Sequence, residues 1–322
     1  MLETLAKLVV DVGVSCRASP LTGELAGNRG RWNAFAPKSH LESRRDGSTI
    51  STMTLPPPAV DRTAIVTGAS SGIGQAIARE FARRGHGVTL VARRADRLEA
   101  LASELDKTGV RAAVMAIDLA DRDARATLLD RVSDLGLIPE ILVNNAGLST
   151  SGPVAKSDPE AEMDMIEVDV VAIADLCSRV LPGMVERRRG AVLNVASTGA
   201  FQPLPGQAGY GAGKAFVLSY SESLSGELRG TGVRVSALCP GPVDTGFGER
   251  AGITKEDAEA ALPAFMWETA ETVARIGIDG LEKGKVVIIP GAANRIAARL
   301  GHLAPNRLLV PFLARSHPGL QV

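Results

Sequence analysis

From residue 63 onward the chain alternates short apolar runs with longer stretches whose apolar residues recur every three to four positions. Runs of the first kind have the length of a strand, and stretches of the second kind have the period of an amphipathic helix. Strands are predicted at 63–67, 88–92, 112–117, 141–143, 191–196, 233–238 and 285–289, with helices filling the gaps. Strict strand–helix alternation is the signature of a parallel sheet covered on both faces, with a right-handed crossover between successive strands. The pattern therefore predicts one α/β domain over 60–291, a doubly wound seven-stranded parallel sheet flanked by helices.

The two ends read differently. Residues 1–59 mix glycine, serine, arginine and proline after a short amphipathic start and close on Pro56-Pro57-Pro58, which continues neither a helix nor a central strand. Little stable structure is expected there, and Met53 is a second candidate for the start of the chain. Glu3, Asp11, Glu24, Glu42 and Asp46 spoil the acid-poor composition of a transit peptide. Residues 292–322 place apolar residues at Ile296, Leu300 and Leu303 before several prolines, which predicts a helical tail outside the sheet.

Composition removes some functions. With 36 basic and 36 acidic residues the formal charge is zero, so the overall balance calls for neither nucleic acid nor an anionic membrane. No apolar run reaches the roughly 20 residues that a bilayer span needs. Cys16, Cys177 and Cys239 have no metal-ligand spacing, and an odd number argues against a disulfide framework, so a reducing cytoplasm is expected and no metal.

Two stretches carry candidate chemistry. The first strand runs into Thr67-Gly68-Ala69-Ser70-Ser71-Gly72-Ile73-Gly74 and then a helical segment with Ile77 and Phe81 on one face. Glycines at a strand–helix turn let the backbone approach a pyrophosphate, and the helix N-terminus offers it free N–H groups. The spacing departs from G-x-G-x-x-G, and an ordinary tight turn would look similar. About twenty residues on, where an NAD site usually carries an acid, the chain reads Ala92-Arg93-Arg94. Arginine suits a 2′-phosphate, which favours NADPH over NADH, unless the pair only solvates a helix start. Asp118, beside Leu119 after the third strand, could accept from an adenine amino group or cap the next helix. In the second stretch, Tyr210 and Lys214 stand four apart at a helix start and so share a face, with Ser197 after an apolar strand. A neighbouring ammonium favours phenolate and draws a tyrosine from its usual pKa of about 10 toward neutrality. A surface tyrosine beside a solvated lysine would give the same spacing.

TGASSGIG, Asn144-Asn145-Ala146-Gly147, Ser197, Tyr210-Gly211-Ala212-Gly213-Lys214 and Cys239-Pro240-Gly241-Pro242-Val243-Asp244-Thr245 stand in the order and spacing of the short-chain dehydrogenase/reductase family, which the chain resembles over roughly 60–290. The resemblance implies a Rossmann fold and an oxidoreductase that moves a hydride between NADP(H) and a small carbonyl or alcohol substrate. By it, Tyr210 handles the proton, Ser197 holds the substrate oxygen, and Lys214 binds the nicotinamide ribose while lowering the tyrosine pKa. Gly68, Ser70, Ser71, Gly72, Ile73, Gly74, Arg93, Arg94, Asp118, Leu119, Asn145, Ala146, Gly147, Tyr210 and Lys214 would meet the cofactor. Pro240, Gly241, Val243 and Thr245 would cover its nicotinamide end, with a variable substrate lid over 247–267. Asp169 stands where the family usually carries an asparagine that helps hold a relay water. Aspartate there accepts but cannot donate, and it adds charge near Lys214, unless the side chain faces elsewhere. A homodimer or homotetramer is also implied. A silent dinucleotide sensor or scaffold and a non-redox lyase or epimerase on the same fold are the alternatives.

Overall fold

The computed structural model describes residues 55–316 and 320, so most of the extension expected at 1–59, including Met53, lies outside the described residues. Seven strands form one parallel sheet in the order β3-β2-β1-β4-β5-β6-β7. They are β1 Arg62–Thr67, β2 Gly87–Ala92, β3 Ala112–Ala116, β4 Ile138–Asn144, β5 Gly190–Val195, β6 Val233–Leu238 and β7 Val287–Ile288. The main crossover helices are α1 Gly72–Arg83, α2 Ala95–Asp106, α3 Arg122–Ala126, α4 Leu128–Asp134, α5 Pro159–Ile166, α6 Ala172–Glu186 and α7 Ala208–Glu227. Short helices α8 Phe247–Arg250 and α9 Lys255–Ala261 follow β6, then α10 Ala270–Glu282, α11 Ala292–Leu303 and α12 Asn306–Ser316.

The strand order reverses beside β1, which pairs with β2 on one side and β4 on the other. That reversal opens a crevice at the carboxyl ends of the strands, where ligands of such sheets bind. Apolar side chains from the two sheet faces make two cores. On one face Phe81 of α1, Leu98 of α2 and Ile278 of α10 pack on Val66, Leu90 and Leu193. On the other, Val132 of α4, Leu176 of α6 and Val217 of α7 pack on Ile65, Leu142 and Val192. Each helix buries one stripe, as its 3.6-residue period requires.

Beyond one-residue shifts at strand ends, three features differ from the sequence expectation. β4 begins three residues earlier, before Pro139, because the register with β1 shifts between Thr63 and Ala64: Thr63 pairs with Pro139 and Ala64 with Ile141. The shift accommodates the proline, which has no N–H for the ladder. Glu140 at that irregularity is buried and pairs with Arg62 and with Arg189, the latter at 2.6 Å. β7 is cut to two residues between the turn at Gly284, with φ of 66°, and Pro290, and its ladder partners on β6 are Ala237 for Val287 and Leu238 for Ile288. In the gap between β4 and β5, expected to be filled by helix, a π-helical turn at Glu167–Val171 separates α5 from α6. The described part of the tail forms the two helices α11 and α12, and α11 packs on the Thr198–Phe201 turn.

Phe81 is among the largest fully buried side chains. Phe81→Ala is expected to lower the unfolding free energy by about 3–5 kcal/mol, read by urea titration. A loss below about 1 kcal/mol would show that the α1 face does not hold the sheet.

Candidate active site

The site forms where β1, β4, β5 and α7 converge. Thr67, the last residue of β1, donates its hydroxyl to Val143 O at 3.2 Å and accepts from the backbone N–H of Asn145 and Ala146 at 2.9 and 3.0 Å. Asn145 Nδ2 returns a bond to Thr67 O at 2.9 Å. The glycine turn is thus laced to the Asn144–Gly147 loop. A Cβ on Gly68, whose φ is 66°, would lie 2.7 Å from Asn145 Nδ2, and one on Gly74 would strike the same amide. Both positions exclude side chains. One strand further in, Asn144 Nδ2 donates to Asn194 Oδ1 at 2.8 Å, and Asn194 Nδ2 to Ser221 Oγ at 2.9 Å, a buried polar chain tying β4 and β5 to α7. Thr67, Asn194 and Ser221 were not singled out from sequence. Only the structure reveals that these ordinary polar residues end buried, Asn194 bonded to Ser221 and Thr67 to the Asn145–Ala146 backbone.

Ser197 follows β5 and caps the Thr198–Phe201 turn, its hydroxyl accepting from Gly199 N at 3.0 Å. Tyr210 and Lys214 lie one helical turn apart on α7, and Lys214 Nζ sits 5.5 Å from the Tyr210 ring centroid. Lys214 is only 4% exposed, so it is not a solvated surface lysine. Its ammonium donates to Val195 O at 3.3 Å and pairs with Asp169 Oδ2 at 2.9 Å. Asp169 is itself 1% exposed and accepts from Leu148 N at 2.7 Å through Oδ1. It therefore faces the site directly, contacting the lysine that the family's asparagine is thought to reach through water.

The π turn supplies that contact. A π turn places an extra residue in the helix and redirects the side chains within it. Its first residue, Glu167, is clamped by Arg122 at 2.9 Å and by Arg125 at 3.1 Å, and Arg125 also bonds Asp175 at 2.8 Å. Arg125 is buried at the base of this clamp, another positioning residue that sequence reading missed. Close packing completes it: a Cβ on Gly147 would meet Lys214 Nζ at 3.2 Å and Asp169 Oδ1 at 3.3 Å, and one on Gly213 would meet Asp169 Cβ at 3.6 Å.

The electrostatics depart from the expectation of a lowered tyrosine. Burial pushes the Tyr210 phenol up, the Lys214 charge and the Ser197 hydroxyl pull it down, and the Asp169 carboxylate raises it again; the net direction is up. Burial acts against the Lys214 charge, yet Asp169 and then Tyr210 raise it further, so the net direction is up there too. For Asp169, burial pushes the carboxyl above its ordinary range despite Lys214 and the Leu148 N–H. Lys214 does pull the phenol down, but burial outweighs it and the Asp169 carboxylate adds to the rise.

Near the glycine turn, Arg94 Nη2 donates to Ser70 Oγ at 2.8 Å and Ser71 Oγ at 3.0 Å. Burial first, then the charges of Arg97 and Arg250, push the Arg94 guanidinium down from its usual range, with Arg93 adding to this and Asp96 opposing it. Cations from two separate segments crowd this point. Arg93 is 65% exposed and faces Asp118 at 3.8 Å. Asp118 accepts from Ala120 N at 3.1 Å, while Asp121 caps α3, so the capping alternative for Asp118 is removed. Leu119 is buried in the core beneath it. The α1 N-terminus has no side-chain cap and no acidic residue in its first turn. Its free N–H groups, the glycine cradle from Gly68 to Gly74 and the arginine cluster fit an anionic dinucleotide with a further phosphate. The Pro240–Thr245 loop lies against this turn, and a Cβ on Gly72 would sit 2.8 Å from Thr245 Cβ. Gly241 packs on Asn294, and Val243 bridges to Glu268. In the segment expected as a lid, Phe247 lies 5.9 Å from Tyr210, ring to ring.

The short chain dehydrogenase family model matches residues 62–256. The chain is 42% identical over 190 residues to a short chain dehydrogenase of Pseudocercospora fijiensis, covering 58% of this chain and 61% of that protein. It is 36% identical to an NADP-dependent 3-hydroxy acid dehydrogenase of Salmonella typhi, over 68% of this chain and 92% of that one. A short-chain dehydrogenase from Sphingobium yanoikuyae solved with NADPH aligns at a TM-score of 0.66 and 35% identity, covering 78% and 95% of the two chains. The chain belongs to the short chain dehydrogenase family, and it is an oxidoreductase of the CH–OH/C=O kind.

Two tyrosines occur in the whole chain, so phenolate absorbance resolves them. Burial first, then Cys177 and Glu227, pushes Tyr220 up to about 12. Asp169→Asn removes a carboxylate that raises Tyr210, so the Tyr210 ionisation is expected at lower pH than in the wild type while Tyr220 stays. An unmoved Tyr210 titration would show that the Lys214–Asp169 pair does not set the phenol.

Proposed function

We propose that this chain is an NADP(H)-dependent oxidoreductase that interconverts a small carbonyl compound and its alcohol, using Ser197, Tyr210 and Lys214. The observation that carries the reading is the convergence of these three side chains, from the end of β5 and the start of α7, beside the laced glycine turn. A bound dinucleotide supplies or accepts the pair of reducing electrons. The protein's own part is proton handling and alignment. Tyr210 gives its phenolic proton to the carbonyl oxygen in reduction and takes it back in oxidation. A phenol held above its usual pKa keeps that proton at neutral pH, which suits the donor role. Ser197 holds the substrate oxygen. Lys214 reaches toward the cofactor ribose and compensates charge on the phenolate, while Asp169 keeps the ammonium charged and in place.

NADP(H) is the proposed cofactor because Arg93 and Arg94 stand where an acid would serve NAD, and Arg97 and Arg250 add to the same positive field. The NADP-dependent relative and the NADPH-bound structural neighbour support it. Asp118 and Leu119 are proposed beside the adenine. Asn145, Ala146 and Gly147 are proposed beside the ribose, and Pro240, Gly241, Val243 and Thr245 at the nicotinamide end. The reducing cytoplasm is the proposed compartment, where the buried free thiols Cys177 and Cys239 persist.

Turnover followed at the nicotinamide absorbance with a panel of ketones and aldehydes tests the reading. Tyr210→Phe is expected to abolish turnover and leave NADPH binding nearly intact, since only the proton-transferring hydroxyl is lost. Near wild-type reduction by that variant would sink the mechanism. Cofactor choice is a separate test. Arg93→Asp removes charge-assisted bonds and adds a repelling carboxylate, so NADPH is expected to weaken about tenfold to a hundredfold while NADH changes far less. Arg94, bonded across Ser70 and Ser71, shares that load, so the double replacement is expected to exceed either single one. A wild type that prefers NADH in the same titration would overturn the assignment.

A further inference from the structure

The neutral total charge conceals a lopsided distribution. Between residues 292 and 322 the sequence holds Arg295, Arg299, Arg307 and Arg315 and no acidic residue, so the compensating excess of acids lies elsewhere in the chain. The structure adds a second asymmetry. Helix α11 buries Asn294, Ala298 and Gly301 against its own domain. Asn294 Nδ2 donates to Met266 O at 3.0 Å, Gly301 packs on Gln202, and His302 meets Phe201 ring to ring at 6.4 Å. Ile296, Leu300 and Leu303 are spaced four and three apart on the opposite face, 59%, 64% and 78% exposed. At 100° per residue this stripe points straight away from the domain, with Arg295 and Arg299 along one side of it. Leu308 on α12 is exposed as well. A surface helix of a globular protein ordinarily turns its large apolar residues inward. Here small and polar residues face in, and the large apolar ones face out.

From these two asymmetries we infer that α11 and α12 form an interfacial anchor that lays the Ile296–Leu300–Leu303 stripe into the headgroup region of an anionic lipid membrane. Apolar residues on one face bordered by arginines, with no acids, are the chemistry of a helix lying in the plane of such a surface. A second copy of the chain is the poorer occupant. In a two-fold pair the same patch meets itself, which gathers Arg295 and Arg299 of both copies into one contact with no acid of this segment to pair them. Nor is a span proposed: among the described residues no helix is long and apolar enough to cross a membrane. Because α11 packs on the turn that follows Ser197, docking sets the reaction site beside the lipid, where apolar carbonyl compounds concentrate.

The test is flotation of the full chain with vesicles of phosphatidylcholine alone and with phosphatidylglycerol mixed in, at low and raised salt. The wild type is expected to float with the anionic vesicles and to release as salt rises. Leu300→Glu with Leu303→Glu, and separately Arg295→Ser with Arg299→Ser, are expected to weaken that binding about tenfold or more. All altered residues are exposed, so melting temperature and turnover of a water-soluble ketone should hold, which separates this inference from the proposed activity. A wild type that stays out of the anionic vesicles overturns the inference. So does a Leu300→Glu/Leu303→Glu variant that binds as the wild type does, or one whose sizing-column change shows that the stripe joins two copies.

Discussion

The ion pair between Lys214 and Asp169 is the interaction on which the rest of the site depends. Two charges held almost out of water cost several kcal/mol each to desolvate, and their attraction offsets this only with good geometry and further hydrogen bonds. Here Val195 O serves the ammonium and the Leu148 N–H serves the carboxylate. Those four partners belong to the end of β5, the loop after β4, the π turn and α7, so a single buried contact fixes the relative positions of four segments. Gly147 and Gly213 fit around it because neither has a side chain to intrude. Burial pushes the Tyr210 phenol up against the pull of Lys214 and Ser197, and the carboxylate of the pair adds to that rise.

The cofactor region follows the opposite logic. Around Lys214, charge is neutralised within the protein. Around Arg94 it is left in excess, with Arg93, Arg97 and Arg250 contributing and Asp96 the acid opposing them. A cluster of cations only partly compensated by Asp96 and Asp118, at an uncapped helix N-terminus, favours a polyanionic ligand. Rigidity comes from the neighbouring lacing: the Thr67 hydroxyl holds the Asn145–Ala146 backbone, and the Asn145 amide returns to the Thr67 carbonyl at the start of the glycine turn. Placing the glycine turn and the Asn144–Gly147 loop against each other at the reversal of strand order makes the crevice a preformed site.

The C-terminal helices show how a whole-chain average misleads. Equal totals of acids and bases gave no reason to look for a charged surface, yet the tail is purely basic and its large apolar residues face outward. Local charge and the direction of a helix face govern binding; the sum over the chain does not.

Much was legible in the sequence because it depends on short-range periodicity. Apolar runs set the seven strands, the glycine turn marked where β1 passes into α1, and four-residue spacing alone put Tyr210 and Lys214 on one face of a helix, since 3.6 residues make a turn. What tertiary structure decided required knowing which distant residues meet. Asp169 faces Lys214 because Arg122 and Arg125 clamp a π turn that no local pattern announced. Arg94 lies across the glycine turn while its neighbour Arg93 faces Asp118, and Arg250 joins Arg94 from a segment more than a hundred residues away. The outward aim of Ile296, Leu300 and Leu303 likewise depended on what Asn294, Ala298 and Gly301 found to pack against. Periodicity states that a helix has an apolar face, but only its neighbours decide whether that face turns inward.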